Sequence, residues 1–485
     1  MEERYIASVD LGTSKIAVAV ARVTGNDVQV VYYGEEPSAG IRYGYIFNPL
    51  KALAPFKTAI GKAEAELGIK IKQAVVGLPR YYVHQETAKG EIPRSDENIS
   101  ITEEELFNLK NMALENYELD NEESEIRYGA IAQSFNTDEM QQGQAEDIIG
   151  MISPYLEGNF KVFIGSRKSF NNIDKVFNDA GIAIVDKYFV PDSTAKLVLT
   201  SDEMEGGVAL IDMGAGVTSV SIYSRGILRH YASIPFGGAA ITNDIKLECS
   251  ITTPLAENIK IAFGNCIPDK LGPDSEKIIK IDFLGNIPEK ELPVRYLSEI
   301  IQARESEIIN AILFEIQRSG YADELRSGVV ITGGASEMVN LPTMIKDLSG
   351  YNVRVGYPMH VFSASGCAHA VDTSATCCMS MVMAARESTR LNCAEEAPDS
   401  ENEGPGIKFE NELFKMDTDE TPGGKNGQES GKVASGNGTG KGTDTSVKGG
   451  KTVKRHQIGI WTHVDKAIKE SLNTVGTLFD GIDDE

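Results

Sequence analysis

Gly207-Val-Ala-Leu-Ile-Asp-Met-Gly-Ala-Gly-Val-Thr-Ser-Val-Ser221 is the stretch on which the reading of this chain turns. Val208 to Ile211 is an apolar run of strand length, and Val217 to Tyr223 is a second β-rich run that reads as its return. Between them stand Asp212, Gly214, Ala215 and Gly216. Glycine permits positive φ and leaves backbone N–H groups unshielded, so such a tip can wrap an anion. The acid at the strand end can face a divalent cation held by the same phosphates. Taken alone, the stretch also reads as an ordinary tight turn, a strand ending in Asp-x-Gly.

A second copy strengthens the anion reading. Tyr5-Ile-Ala-Ser-Val-Asp-Leu-Gly-Thr-Ser-Lys-Ile-Ala-Val-Ala-Val20 has an apolar strand, Asp10, a turn with Gly12, Thr13 and Ser14, and an alternating apolar strand. A third glycine turn follows another buried strand at Gly328-Val-Val-Ile-Thr-Gly-Gly-Ala-Ser-Glu-Met338, and Leu341-Pro342 sets a proline where a helix can begin. Two Asp-x-Gly hairpins followed by strand-Gly-Gly-helix form an ordered triple.

That triple resembles the actin/Hsp70/sugar-kinase superfamily, in which two related α/β lobes close over ATP and each contributes a phosphate hairpin. More closely, the chain resembles the FtsA family of bacterial cell-division proteins. The matching stretches are Asp10 to Lys15, Asp212 to Ser221, Ser233-Ile-Pro-Phe-Gly-Gly-Ala-Ala-Ile-Thr242, Ala256-Glu-Asn-Ile-Lys260 and Val329 to Met338. The resemblance implies an α/β, actin-like (ribonuclease H-like) duplicated two-lobed ATPase fold with an inserted 1C-type subdomain, a disordered linker and a C-terminal amphipathic helix.

It also implies a site. Gly12, Thr13 and Ser14 face the β- and γ-phosphates of ATP from one lobe, and Gly214, Ala215 and Gly216 from the other. Asp10 and Asp212 orient Mg²⁺, mostly through water. Lys15 adds charge, or is a solvated lysine at a strand edge. Gly237 and Gly238 let a helix start approach the nucleotide. Glu257 and Lys260, three apart on one helix face, match ribose contacts, although a plain ion pair has the same spacing. Gly333, Gly334 and Ala335 leave room for adenine, on which Met338 can pack.

Hydrolysis has less support. Hsp70-type relatives carry an acid before the proline of the connecting helix, where this chain has Val190. Ala215, Val217 and Ser219 depart from the usual Gly-Gly-Gly-Thr-x-Asp, and Asp192 is out of register. With no positioned base for water, the expected turnover is slow or absent.

Composition narrows the remaining choices. The chain has 485 residues, enough for two or more full cores, and a formal charge of −24, which opposes general nucleic-acid binding. The six cysteines show no C-x-x-C spacing and read as buried hydrophobes in a reducing compartment. Met1-Glu-Glu-Arg lacks a basic n-region, and no apolar run has transmembrane length.

Along the chain, 1–82 and 161–192 read as lobe one, with the polar stretch 83–160 inserted as a 1C-type subdomain. Its helix candidate, Thr102 to Tyr117, opens on the capping box Thr102-x-x-Glu105. Lobe two is 193–225 and 301–392, interrupted by a 2B-type subdomain at 226–300. Residues 393–455 hold few large apolar side chains and read as a disordered linker, which as a coil of about 55 residues spans roughly 40 Å.

At 456–481 an amphipathic helix is expected. Ile460 precedes Trp461, Val464, Ile468, Leu472, Val475 and Phe479, and these last six fall within roughly 80° of one another at helical spacing. Lys448, Lys451, Lys454 and Arg455 lie just before it, so the segment suits lying on a membrane. Docking on the protein's own body is the alternative. Acids follow the helix, at Asp480, Asp483, Asp484 and Glu485, where basic residues would serve lipid better.

The function implied is an ATP-bound adaptor on the cytoplasmic face of the inner membrane at the division septum. It self-assembles and meets the FtsZ C-terminal tail and other division proteins, with Lys290 and Arg295 as basic candidates for the acidic tail, although no tight motif singles them out and each reads as readily as a solvated surface residue. The alternatives are a sugar or small-molecule kinase of the same superfamily, for which no acceptor-site base can be placed, and an Hsp70-like chaperone, disfavoured because no β-rich substrate domain follows lobe two.

Overall fold

The computed structural model describes residues 3–94, 99–281, 290–358, 361–364, 366–388, 391–395 and 406–408. In it the first hairpin is Glu3–Leu11 paired antiparallel with Lys15–Thr24, in a register that sets Leu11 opposite Ile16 and leaves Gly12 to Ser14 at the tip. Asp27–Pro37 completes a three-strand meander. Gln73–Gly77 then lies parallel to Glu3–Leu11, and Ala183–Tyr188 parallel to Gln73–Gly77.

The second hairpin repeats this plan. Val208–Met213, Thr218–Ser224 and Ile227–Ile234 form a meander, and Val329–Thr332 and Val353–Val355 add two parallel strands beside Val208–Met213. The two sheets therefore share one strand order, which is the duplication expected of the superfamily.

Strand alternation decides which face meets which helices. In lobe one, Ala7, Val9, Ile16 and Val18 turn toward the helices Pro49–Leu67 and Arg167–Ala180, where Phe56 and Phe177 stack at 4.7 Å. Ile6, Ala17 and Ala19 turn the other way, onto the helix Thr376–Ala385. Each large side chain so buried contributes about 1.5–3 kcal/mol. The helix ends are chemically marked: Asn48 caps Lys51 N and Gly68 stops the helix at φ 69°, while Ser166 caps Ser169 N and Gly181 stops the next at φ 76°. In lobe two, Ile211, Met213, Val220 and Ile222 pack under the 25-residue helix Val294–Arg318 and its neighbours.

The inserted stretch builds a three-stranded antiparallel sheet from His84–Pro93, Glu125–Asn136 and Tyr155–Ser166, with the last strand central. Its longer helix is Glu103–Asn116, and both bonds of the Thr102/Glu105 capping box form. Phe163 and Tyr128 of this sheet pack with Val208, Leu210 and Tyr231 of lobe two.

Four boundaries differ from the expected ones. Lys161 to Gly165 does not return the chain to lobe one, because the strand Tyr155–Ser166 runs on as the middle of the inserted sheet. Ile227–Ile234 lies within the expected 226–300 subdomain yet belongs to the main sheet of lobe two, as the third strand of its meander. The segment assigned to the linker begins inside lobe one. Cys393 is buried in its core, its N–H bonding Tyr5 O at 2.7 Å, and Gly406–Lys408 adds a parallel strand to the open edge of Ala183–Tyr188. An unpaired edge offers backbone donors and acceptors that such a strand satisfies. The closing helix, expected to reach Arg390, ends at Ala385.

Among the described residues no helix is long and apolar enough to cross a membrane. The expected amphipathic helix, with Ile460, Trp461, Val464, Ile468, Leu472, Val475 and Phe479, lies outside the described residues.

Candidate nucleotide site

The two hairpin tips meet. Gly216 lies so close to Thr13 that a Cβ there would stand 2.6 Å from the threonine hydroxyl. Around this meeting point lies a cavity of about 460 Å³, within the range of small-ligand sites. Its lining includes Asp10, Gly12, Thr13, Ser14, Lys15, Asp212, Gly214, Ala215, Gly216, Gly238, Glu257, Lys260, Gly333, Gly334, Ala335 and Met338. Of the residues singled out for the nucleotide, Gly237 alone is not among the lining.

Each tip is held by its own lobe. Ser38 Oγ donates to Thr13 O at 2.6 Å, and Gly44 N donates to the Thr13 hydroxyl at 2.9 Å. Gly214 N closes the second tip on Val217 O at 2.9 Å. The helix Gly238–Cys249 starts against that tip, with Gly238 N on Gly214 O at 3.0 Å and Ala239 N on Ala215 O at 2.8 Å. A Cβ at 237 would stand 2.8 Å from Ala215 O, so Gly237 serves the helix's approach to the hairpin rather than to a ligand. Gly333 (φ +85°) fits for a similar reason: a Cβ there would crowd the Asp212 carboxylate and stand 2.6 Å from Met213 O.

The two lining lysines are both paired. Lys15 bonds Glu35. Lys260 Nζ donates to Gly238 O at 3.0 Å, Thr242 Oγ1 at 2.9 Å and Glu257 Oε2 at 2.8 Å, which ties two helices together beside the cavity. Asp192 is buried, accepts from Tyr223 OH at 3.2 Å and is not among the lining residues.

Sequence reasoning missed two residues that stand at the centre. Arg80, from the connection after Gln73–Gly77, bonds Asp212 across the lobe boundary. Cys377, at the start of the helix Thr376–Ala385, donates to the same Asp212 Oδ2 at 3.2 Å and accepts from Arg80 Nη1 at 3.3 Å. Burial by itself would lower the Arg80 pKa, but Cys377, Asp212 and Asp10 hold it well above the ordinary value. Burial raises the Asp10 pKa, Arg80 works against the rise, and Asp212 adds to it.

This arrangement does not fit Mg²⁺ oriented by Asp10 and Asp212. One Asp212 oxygen already carries a guanidinium and a thiol, and among the described residues no group of three His, Cys, Asp or Glu can hold a metal.

The basic candidates for a partner lie on lobe two's outer part. Lys290 donates to Cys249 O, and Arg295 pairs with Asp269 at 3.0 Å and Glu299 at 3.3 Å.

Two α/β lobes of one topology, each sending a glycine-tipped hairpin to a shared cavity, define a protein of the actin-like class. A solved chain of a PilM–PilN type IV pilus biogenesis complex shares the fold, at a TM-score of 0.53 and 13% identity over 78% of this chain and 98% of that one. The sequence profile of the family described as cell division protein FtsA matches residues 209–377. The chain is 30% identical to the FtsA of Pseudomonas aeruginosa over 361 residues, covering 74% of this chain and 84% of that protein. It is 29% identical to the FtsA of Neisseria meningitidis serogroup B over 367 residues, covering 74% and 85%. The chain belongs to the FtsA family of cell division proteins.

Proposed function

We propose that this actin-like division protein binds ATP between its lobes and assembles with itself on the inner face of the cytoplasmic membrane at the septum. There it holds FtsZ filaments through their C-terminal tails and meets other division proteins. The observation that carries the nucleotide part is the meeting of Thr13 and Gly216, which puts both glycine tips on one cavity. Family membership supports the division role and leaves the small-molecule kinase alternative without a specific observation in its favour.

ATP acts here as a ligand whose bridging of the lobes fixes their closure and so favours assembly. The membrane part rests on the amphipathic spacing from Trp461 to Phe479 and on the basic residues before it. One such helix binds reversibly, and assembly multiplies its hold by avidity.

Flotation with vesicles of anionic phospholipid tests the assignment, comparing the full chain with one ending at residue 455, each with and without ATP and FtsZ. The full chain is expected to float and to carry FtsZ with it, more so with ATP. Equal flotation of both chains would remove the tail as anchor. Flotation of the full chain that leaves added FtsZ behind would remove the adaptor role.

A further inference from the structure

Arg80 belongs to no motif, yet it occupies the point where the two cleft acids converge. It bonds Asp212 from the opposite lobe, and its charge acts on Asp10 within its own lobe. Its backbone is fixed as well, since Arg80 O accepts from Tyr231 OH of lobe two at 2.9 Å. The ion pair is nearly closed to solvent, with side-chain exposures of 12% for Arg80 and 10% for Asp212.

The three lining cations are spent differently. Lys15 is held by Glu35, and Lys260 is fully engaged by Gly238, Thr242 and Glu257. Both contacts described for Arg80, to Asp212 and Cys377, use Nη1. A guanidinium carries five N–H donors in a planar fork that matches phosphate oxygens two at a time, so most of the fork is not spent on those contacts. It is also a permanent part of the cleft, whereas an ion must be drawn from solution.

We infer that Arg80 is the built-in counter-cation of the cleft, holding a nucleoside triphosphate between Asp10 and Asp212 with no requirement for a divalent ion. The inference rests on the nucleotide reading of the cavity. It adds to that reading which group neutralises the phosphates, and it follows from the misfit of Mg²⁺ at the two acids. Phosphate oxygens take up the donors of the fork that Asp212 leaves free, so the same residue ties lobe one, lobe two and the ligand together.

The test measures ATP binding to the full chain, freed of nucleotide and metal, by titration calorimetry in EDTA and in excess Mg²⁺. The dissociation constants are expected to agree within about threefold. Arg80→Met combined with Asp212→Asn, which leaves neither member of the ion pair charged, is expected to weaken binding in EDTA by about tenfold or more, the loss of a charge-assisted contact. Arg80→Lys should fall between, because the charge stays and the fork is lost. If the wild-type chain binds ATP in Mg²⁺ but loses about tenfold or more in EDTA, Arg80 does not stand in for the ion and the inference is overturned. The same follows if the double variant binds in EDTA as the wild type does. No binding in either buffer overturns the nucleotide reading itself, and the role of Arg80 with it.

Discussion

Arg80 and Asp212 form a buried ion pair across the lobe boundary, in the floor of the cavity that the two glycine hairpins enclose. A buried pair contributes little net stability when intact, but removing one member strands the other. Asp212→Ala is therefore expected to cost about 3–5 kcal/mol in chemical denaturation. Replacing both members, by Arg80→Met with Asp212→Asn, should cost clearly less. A single variant no worse than the double one would mean that the pair is solvated.

Gly333 sits at φ +85° and ψ 161°, a region open essentially to glycine alone. Gly333→Ala should lose about 1–3 kcal/mol from backbone strain, and its Cβ presses on the Asp212 carboxylate. The variant is thus expected to lose both thermal stability and ATP affinity. Gly350→Ala, also at positive φ but with open space around the added Cβ, should lose stability without affinity.

Glu305 is fully buried on the helix Val294–Arg318, and neither carboxylate oxygen has a hydrogen-bond partner. Burial lifts its pKa from 4.5 to about 7, against the pull of Lys260. Below pH about 4.5 the group is protonated in both folded and unfolded chains and costs nothing. Between about 4.5 and 7 only the unfolded chain releases the proton, so stability falls as pH rises, by about 3 kcal/mol in all, and then levels off. Glu305→Gln should remove that slope and melt higher than the wild type at pH about 8. An unchanged slope would mean that another group sets it.

ATP turnover should be slow or absent. Asp192 is tied to Tyr223 away from the cavity, and Val190 stands where Hsp70-type relatives carry an acid. Phosphate release at a rate typical of an efficient ATPase, on the order of 1 s⁻¹ or faster, would show that another cleft carboxylate acts as base.

Much of this architecture was legible because it is local. The hairpins announce themselves by period-two runs around Asp-x-Gly, and the helix Glu103–Asn116 by Thr102 and Glu105 three apart. What escaped depends on the far side of the chain. Arg80 reads as a lone arginine in Leu-Pro-Arg-Tyr until the fold sets it on Asp212, 132 residues away. Cys377 reads as one more apolar position of its helix. Ile227–Ile234 has the same alternation whether it ends a main sheet or begins a subdomain, and only its register with Thr218–Ser224 decides. Gly237 was legible as a close-approach glycine, but what approaches is the hairpin.

ATP binding to the wild-type chain and to Gly216→Val tests most directly whether the two tips hold one ligand. The valine Cβ would stand 2.6 Å from the Thr13 hydroxyl and so push the two tips apart, at a point outside both sheet cores. A shared ligand predicts ATP binding by the wild type and loss of about tenfold or more in the variant, with both chains melting cooperatively. Equal affinity in the two chains, or none in the wild type, would contradict it.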